Sequence, residues 1–332
     1  MAALRHRMSS KLEKNVIDAT QNMSDEELFS FAEYQEANTE KTGYSNYSYW
    51  RSTLQAFCKN KTALVLVFVV LGLLLFTFIQ PLLPGQYDPN AINNDETGMQ
   101  IRNMAPCARF WFGTNSIGQD LWARIWTGTR NSLFIGISVA CIEAFIGIIA
   151  GVLWGYVRKL DWFFTEIYNV LDNIPNTIIL ILVSYILKPS VRTLIFAMCL
   201  TGWIQMARFI RNQVLIIRDR EYNLASRCVG TSTPKIIVKN LLPYLVSVIM
   251  LRMALSIPAA IGSEVFITYI GLGLPTNIPS LGSLINDGRS LMMSPTLRYQ
   301  LIFPTIVVSI VTISFYIIGN AFSDAADPKN HI

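Results

Sequence analysis

The sequence predicts an all-α, polytopic membrane protein with six transmembrane helices, and three observations carry that prediction. Of its 332 residues, 52% are hydrophobic and only 15% charged, whereas about a quarter of a soluble globular domain is charged. The apolar residues gather into runs of about 20, the length a helix needs to cross a bilayer. Within those runs they do not alternate with polar residues as the strands of a membrane barrel do, so the backbone must satisfy itself in helices. Length alone would have suggested two soluble domains.

Residues 1–61 form a polar tail in which eight basic and eight acidic side chains balance. It holds no apolar stretch resembling the core of a signal peptide, so it is expected to stay where it is made. Ser24 followed by Glu27 has capping-box spacing ahead of Leu28, Phe29 and Phe31, which predicts a short amphipathic helix near 25–37. The first span is 62–80, free of charge. Residues 81–130 make a loop and elbow outside the membrane. A five-helix core follows over 131–323, with spans at 131–157 (containing Glu143), 167–187 (containing Asp172), 193–210, 241–270 and from Tyr299 to Ser323. Residues 324–332 close the chain. Pro175, Pro258 and Pro304 fall inside spans, where proline removes a helical hydrogen bond and loosens or kinks the helix.

The 27 Lys and Arg against 22 acids leave a net charge of +5, too mild to indicate nucleic acid. Placement says more than the total. With residue 1 inside, inside segments carry 18 basic residues and outside segments eight, Arg252 lying within a span. The positive-inside rule therefore puts both termini in the cytoplasm of a multi-pass protein in the cell membrane. Five scattered cysteines show no CxxC or Cys/His spacing, so neither a disulfide framework nor a metal site is expected. No GxxxxGK[ST] phosphate loop occurs, and His6 and His331 are both terminal, which argues against nucleotide binding or catalysis by this chain.

The most informative stretch is REYNLASRCVGTSTPKIIVKNLLPYL, 220–245, within an inside loop at 208–240 that holds seven basic residues. It reads as helix, stop, helix. Tyr222, Ser226 and Val229 share one face; Gly230 suits the position just past a helix, and Thr233 before Pro234 suits a new N-terminus. The small residues Ala225 and Ser226 leave room for close approach by another chain.

This stretch resembles the docking loop of permease subunits of ABC importers, whose pattern is EAA, three residues, Gly, nine residues, Ile-x-Leu-Pro. Ala225, Ser226, Gly230, Leu242 and Pro243 stand at matching spacing, while Leu224, Ser226 and Asn240 replace the family's Glu, second Ala and Ile. WFGTNSIGQDLWARIWTGTRNSL, 111–133, is similar to the FGTDxxGRDxxxR segment of C-type subunits in oligopeptide and dipeptide importers, with Asn115 and Gln119 in place of Asp and Arg. Physically, Gly113 and Gly118 make turns, Asp120 can cap a helix while pairing with Arg124, and Trp111, Trp122 and Trp126 suit a membrane interface. YIGLGLPTNIPSLGSLINDGRSLM, 269–292, is similar to the family's GLGxxPPxPSWGxxLxDGR loop, with Gly271, Gly273, Pro279 and Gly282 in a rigid outer turn. SDAADP, 323–328, is similar to its DALDP ending.

The matches cover about 45–328 and are closest to the oligopeptide permeases of Gram-positive cocci. The resemblance implies the type I ABC importer permease fold. It also implies a non-catalytic transport subunit that has no cofactor of its own and lies in membrane lipid. The implied partners are a second, B-type permease, two ABC ATPases that bind ATP and Mg and dock on the loop, and an external lipid-anchored peptide-binding protein that delivers peptide. Tyr222, Ala225, Ser226, Gly230 and Pro243 are the expected coupling residues.

Glu143, Asp172, Arg252 and Glu264 lie in predicted spans, where an uncompensated charge costs several kcal/mol, so each should face protein or water. Arg252 and Glu264 are 12 positions apart, about 18 Å along one helix, and need separate partners. Asp172, Arg252 and Glu264 are candidates to line the path or meet another subunit, with an ordinary inter-helix contact as the alternative for each. Two further functions stay open: an importer for another ligand, such as nickel or a glycan, and a gradient-driven secondary carrier. The second would need internal repeats around a midplane ion site, and the four charges fall in no repeated pattern.

Overall fold

The computed structural model describes residues 49–326, and the helix expected near 25–37 lies outside them. The chain divides into two units, Met1–Tyr49 and Trp50–Ile332, and the helical bundle belongs to the second. It opens with α1 (Tyr49–Lys59) and α2 (Lys61–Ile79). Asn60 separates them, its side-chain oxygen accepting the Ala63 N–H at 3.1 Å as the N-cap of the first span. A short turn at Gln80–Leu82, with Pro81 inside it, ends α2.

The second span starts ten residues before the expected position 131. Helix α3 runs Leu121–Tyr156, and its 36 residues span about 54 Å. Its start is fixed by Asp120, whose Oδ2 accepts the Ala123 N–H at 3.0 Å. The expected third span, 167–187, is a broken one. Helices α4 (Arg158–Asp172) and α5 (Asn176–Ile186) meet at 76°. Pro175 has no N–H to continue α4 and biases Ile174 away from helical backbone, so the chain turns there rather than merely kinking. Helix α6, Val191–Arg218, outlasts the expected span 193–210 and carries Arg211 and Arg218 on helix rather than in a loop.

The remaining elements are α7 (Glu221–Cys228), α8 (Thr233–Ile236) with one π-type turn at Ile237–Leu241, α9 (Leu242–Tyr269), α10 (Leu281–Arg289) and α11 (Tyr299–Ala326). Pro258 and Pro304 sit within α9 and α11, both continuous helices. Among the described residues, five helices are long and apolar enough to cross a membrane, and six if the bent pair α4–α5 counts as one.

The most extensive packing is between α3 and α6. In lipid the hydrophobic effect does not drive helices together, so close backbone approach and inter-helix hydrogen bonds must. The stretch GIIAGVLWG supplies that approach: Gly147, Gly151 and Gly155 recur every fourth residue and face α6. A Cβ at Gly151 would overlap the Ala207 carbonyl oxygen and stand 2.7 Å from Ile210 Cβ, and one at Gly155 would stand 2.8 Å from Val214 Cβ. Helix α9 then packs on α3 and α11, and α10 is wedged among α3, α9 and α11.

Candidate functional site

At the Tyr156 end of α3, helices α7 and α8 form the helix, stop, helix bracket that the sequence predicts. Buried Asn223 donates from Nδ2 to the Ile217 carbonyl at 2.8 Å, satisfying the last turn of α6 and fixing where α7 begins. Gly230 adopts a φ of +82° with nothing within 4 Å of its would-be Cβ, so the reversal needs glycine for its backbone and not for space. The second arm starts one residue earlier than expected: Ser232 precedes the helix, and Thr233 and Pro234 open it. Asn240 spans the two arms, donating to Asn223 Oδ1 at 3.0 Å and to Ser226 Oγ at 3.4 Å. Tyr222, Leu224 and Val229 are exposed, Val229 by 85%. Ala225 and Pro243 are exposed, and Ser226 is half-buried with its hydroxyl on the Tyr222 carbonyl.

The basic residues expected in a loop tie helices together. Arg227 donates to the Tyr156 hydroxyl at 3.2 Å and to the Arg218 carbonyl at 3.1 Å, and lies 3.7 Å from Asp219. Arg218 donates to the Gly155 carbonyl at 2.9 Å, a cation at the C-terminus of α3, where the helix dipole favours it. Arg211 pairs with Asp161 of α4 at 2.7 Å and covers the Trp154 ring. Asp172, at the end of α4, takes hydrogen bonds from the Tyr168 hydroxyl and the Gln205 amide, with Arg208 at 3.8 Å. It therefore holds the α4–α5 elbow against α6.

Helices α3, α5, α6 and α9 line a half-open cavity of about 210 Å³. Glu143 of α3 and Arg252 of α9 both line it, with neutral polar groups from Asn176, Thr201, Gln205 and Ser256. Gly202 makes room for the Glu143 carboxylate, since a Cβ there would overlap Oε1. The Arg252 guanidinium lies 5.9 Å from the Phe209 ring centroid.

Glu264 is not among the residues that line this cavity. It is fully buried, accepting the Ser280 hydroxyl at 2.6 Å, the Thr268 hydroxyl at 3.1 Å and the Ser132 hydroxyl at 3.2 Å. Ser280 is also the N-cap of α10, so this carboxylate sits at a positive helix end and locks α3, α9 and α10 together. Of the two roles open to it from the sequence, this arrangement is the inter-helix contact, with three hydroxyls filling the space around it.

The outer motifs build the same end of the bundle. Gly113 (φ +77°) lies against Tyr299, Gly118 (φ +83°) beneath Asn93 and Ile101, and Gly271 (φ +80°) just after α9. Gly273 abuts Thr268, Gly282 abuts Glu264, and the Pro279 carbonyl accepts Asn131 Nδ2 at 2.7 Å. Asp120 caps α3 as expected, but Arg124 turns away from it. Arg124 is 2% exposed and donates to Gln119 Oε1 at 2.6 Å and to the carbonyls of Pro89 and Thr276. Asn115 donates in turn to Gln119 at 2.9 Å, so the two departures from the family pattern meet each other. Burial raises the Asp120 carboxyl above its ordinary value, its two backbone hydrogen bonds notwithstanding. Sequence reasoning missed the glycine repeat on α3, although its spacing was a readable signal, and the Glu143–Arg252 cavity, which joins residues 109 positions apart.

Residues 144–331 match the family described as binding-protein-dependent transport system inner membrane component, and residues 48–106 match the N-terminal TM domain of oligopeptide transport permease C. The chain is 38% identical over 309 residues to the oligopeptide transport system permease protein AmiD of Streptococcus pneumoniae, covering 92% of this chain and 98% of that one. It is 37% identical to the dipeptide transport system permease protein DppC of Bacillus subtilis, over 85% and 86% of the two chains. To the oligopeptide transport system permease protein OppC of the same organism it is 33% identical, over 91% and 97%.

Proposed function

The chain belongs to the family of binding-protein-dependent transport system inner membrane components, and we propose on that premise that it is the C-type permease subunit of an ATP-driven oligopeptide importer. Its relatives are oligopeptide and dipeptide permeases by name, which favours peptide over nickel or glycan. The chain is the non-catalytic membrane part; ATP and Mg belong to two partner ATPases. A B-type permease completes the path, and an external lipid-anchored binding protein presents the peptide. Both termini and the α7–α8 bracket face the cytoplasm, in keeping with the charge bias.

One observation carries the mechanism: the bracket's outward face is apolar and exposed, while its inner face is bonded to the bundle through Arg227, Arg218 and Asn223. An ATPase that grips Tyr222, Ala225 and Val229 can therefore move the ends of α3 and α6 together. Those two helices share the glycine-lined seam and move as one body, so closure of the ATPase dimer tilts the bundle between inward-open and outward-open states, a rigid-body switch driven by a ligand bound elsewhere.

The test is Gly230→Asp in the reconstituted importer. A non-glycine residue at φ +82° strains the reversal and misaligns the arms, so peptide-stimulated ATP hydrolysis and uptake should fail while the chain stays in the membrane at normal abundance. Normal uptake by that variant would sink the docking assignment.

A further inference from the structure

We propose that the cavity between α3, α5, α6 and α9 is a subsite for the carboxylate end of the passing peptide, with Arg252 as the group that receives it; the proposal rests on the peptide-importer reading. Arg252 and Glu143 line one cavity, yet they form no ion pair within 4.0 Å among the described residues, and neither side chain's charged group has a hydrogen bond there. Arg252 is half-buried within a span, where a guanidinium is costly unless protein, water or a ligand meets it. The Phe209 ring at 5.9 Å offsets only part of that cost. The cavity's 210 Å³ leaves room for water to meet Arg252 between cargoes.

The two charges attract each other across the cavity without pairing. Gly202 lets the Glu143 carboxylate settle on the backbone of α6, the wall from which Thr201 and Gln205 also reach the cavity, while Arg252 projects from α9. A donor fork that is not consumed by its neighbour stays available for a carboxylate, which it matches in two parallel hydrogen bonds. Glu143 keeps the cavity near neutral, so the carboxylate is held without being trapped, and it repels a second one.

Chemistry of the cargo points to the same end group. Peptides of varied sequence share only backbone, ammonium and carboxylate, and a path that passes them all must use those. The cavity is smaller than the roughly 300–1,000 Å³ of sites that enclose a whole small ligand, so it receives one end and places no limit on the rest.

The experiment uses the whole importer in proteoliposomes, with tetraalanine and its C-terminal amide as cargo, each at saturating occupancy of the binding protein. Arg252→Gln should lower uptake of the free-carboxylate peptide about tenfold, as expected for losing a charge-assisted hydrogen bond, and lower uptake of the amide, which offers one neutral acceptor in place of the carboxylate, clearly less. Arg252→Lys, which keeps the charge but not the fork, should fall between. Equal losses for the two peptides, or none, would overturn the proposal, as would recovery of wild-type rates in the charge-swapped double variant Glu143→Arg, Arg252→Glu, because that marks a structural ion pair. Failure of the wild-type importer to take up either peptide with ATP strikes the peptide-importer reading instead.

Discussion

Asn240 Nδ2 donates to Asn223 Oδ1 at 3.0 Å, joining the two arms of the bracket across the Gly230 reversal. Asn223 is fully buried and passes the connection to the Ile217 carbonyl at the end of α6. Asn240 and Ser226, which replace apolar residues of the family pattern, thus face each other and form a polar clasp where the pattern has hydrocarbon. Asn240→Ala leaves a buried amide oxygen without a donor, at a cost of about 1–3 kcal/mol. Backbone hydrogen exchange over 221–228 should quicken, with little change elsewhere in the bundle. Unaltered exchange in α7 would show that the clasp does not hold the arms.

The α3–α6 seam should tolerate no side chain at its glycines. Gly151→Ala places a methyl against the Ala207 carbonyl and Ile210, and overpacking of this kind costs about 1–3 kcal/mol. Gly72 of α2 provides the contrast, with nothing within 4 Å of its would-be Cβ. Gly72→Ala should be neutral or stabilising by up to about 1 kcal/mol through helix propensity. Thermal unfolding of the two variants in detergent separates the cases. Equal midpoints would mean that α6 shifts to make room.

The spans were legible from length and charge because lipid imposes those constraints residue by residue. What the sequence hid depends on pairings between distant positions. Arg124 and Arg130 look like limits to a span, so the sequence puts its start at 131. Arg124 in fact finds Gln119 and the carbonyls of Pro89 and Thr276, and the helix reaches back to its cap at Asp120. The break at Pro175 was visible as a proline, but hydropathy averaged across it and the two halves read as one span. Only the contacts of Asp172 with Gln205 and Arg208, more than 30 positions away, reveal the elbow. An inter-helix contact for Glu264 was open from the sequence, but its partners Ser132 and Ser280, on other segments, could not be named from it.

Because Glu264 works through shape and hydrogen bonds, Glu264→Gln should retain uptake within about twofold. The amide oxygen can still accept from Ser280 and Thr268, and its NH₂ can donate to Ser132. Glu264→Leu strands those hydroxyls and loosens the start of α10, at a cost of about 3 kcal/mol. Uptake and the unfolding midpoint should fall together. A Glu264→Gln protein that is stable but inactive would give the carboxylate a part in transport after all.

Asp120 sets a pH dependence whose sign follows from its surroundings. The residue is 3% exposed; Oδ2 caps α3, and Oδ1 has no hydrogen-bond partner among the described residues. Burial raises its carboxyl above the ordinary value in the folded chain. The folded state then holds a proton more firmly than the unfolded state, so this residue's contribution to stability declines as pH rises from the ordinary carboxylate range through the raised value. Asp120→Asn keeps an oxygen for the Ala123 N–H and removes the titration. Its unfolding midpoint should therefore lose that part of the slope, with the gap between variant and wild type shifting in the variant's favour as the pH climbs. A gap that stays constant from acid to neutral pH would mean that Asp120 is charged at no cost, with water or a partner chain reaching Oδ1.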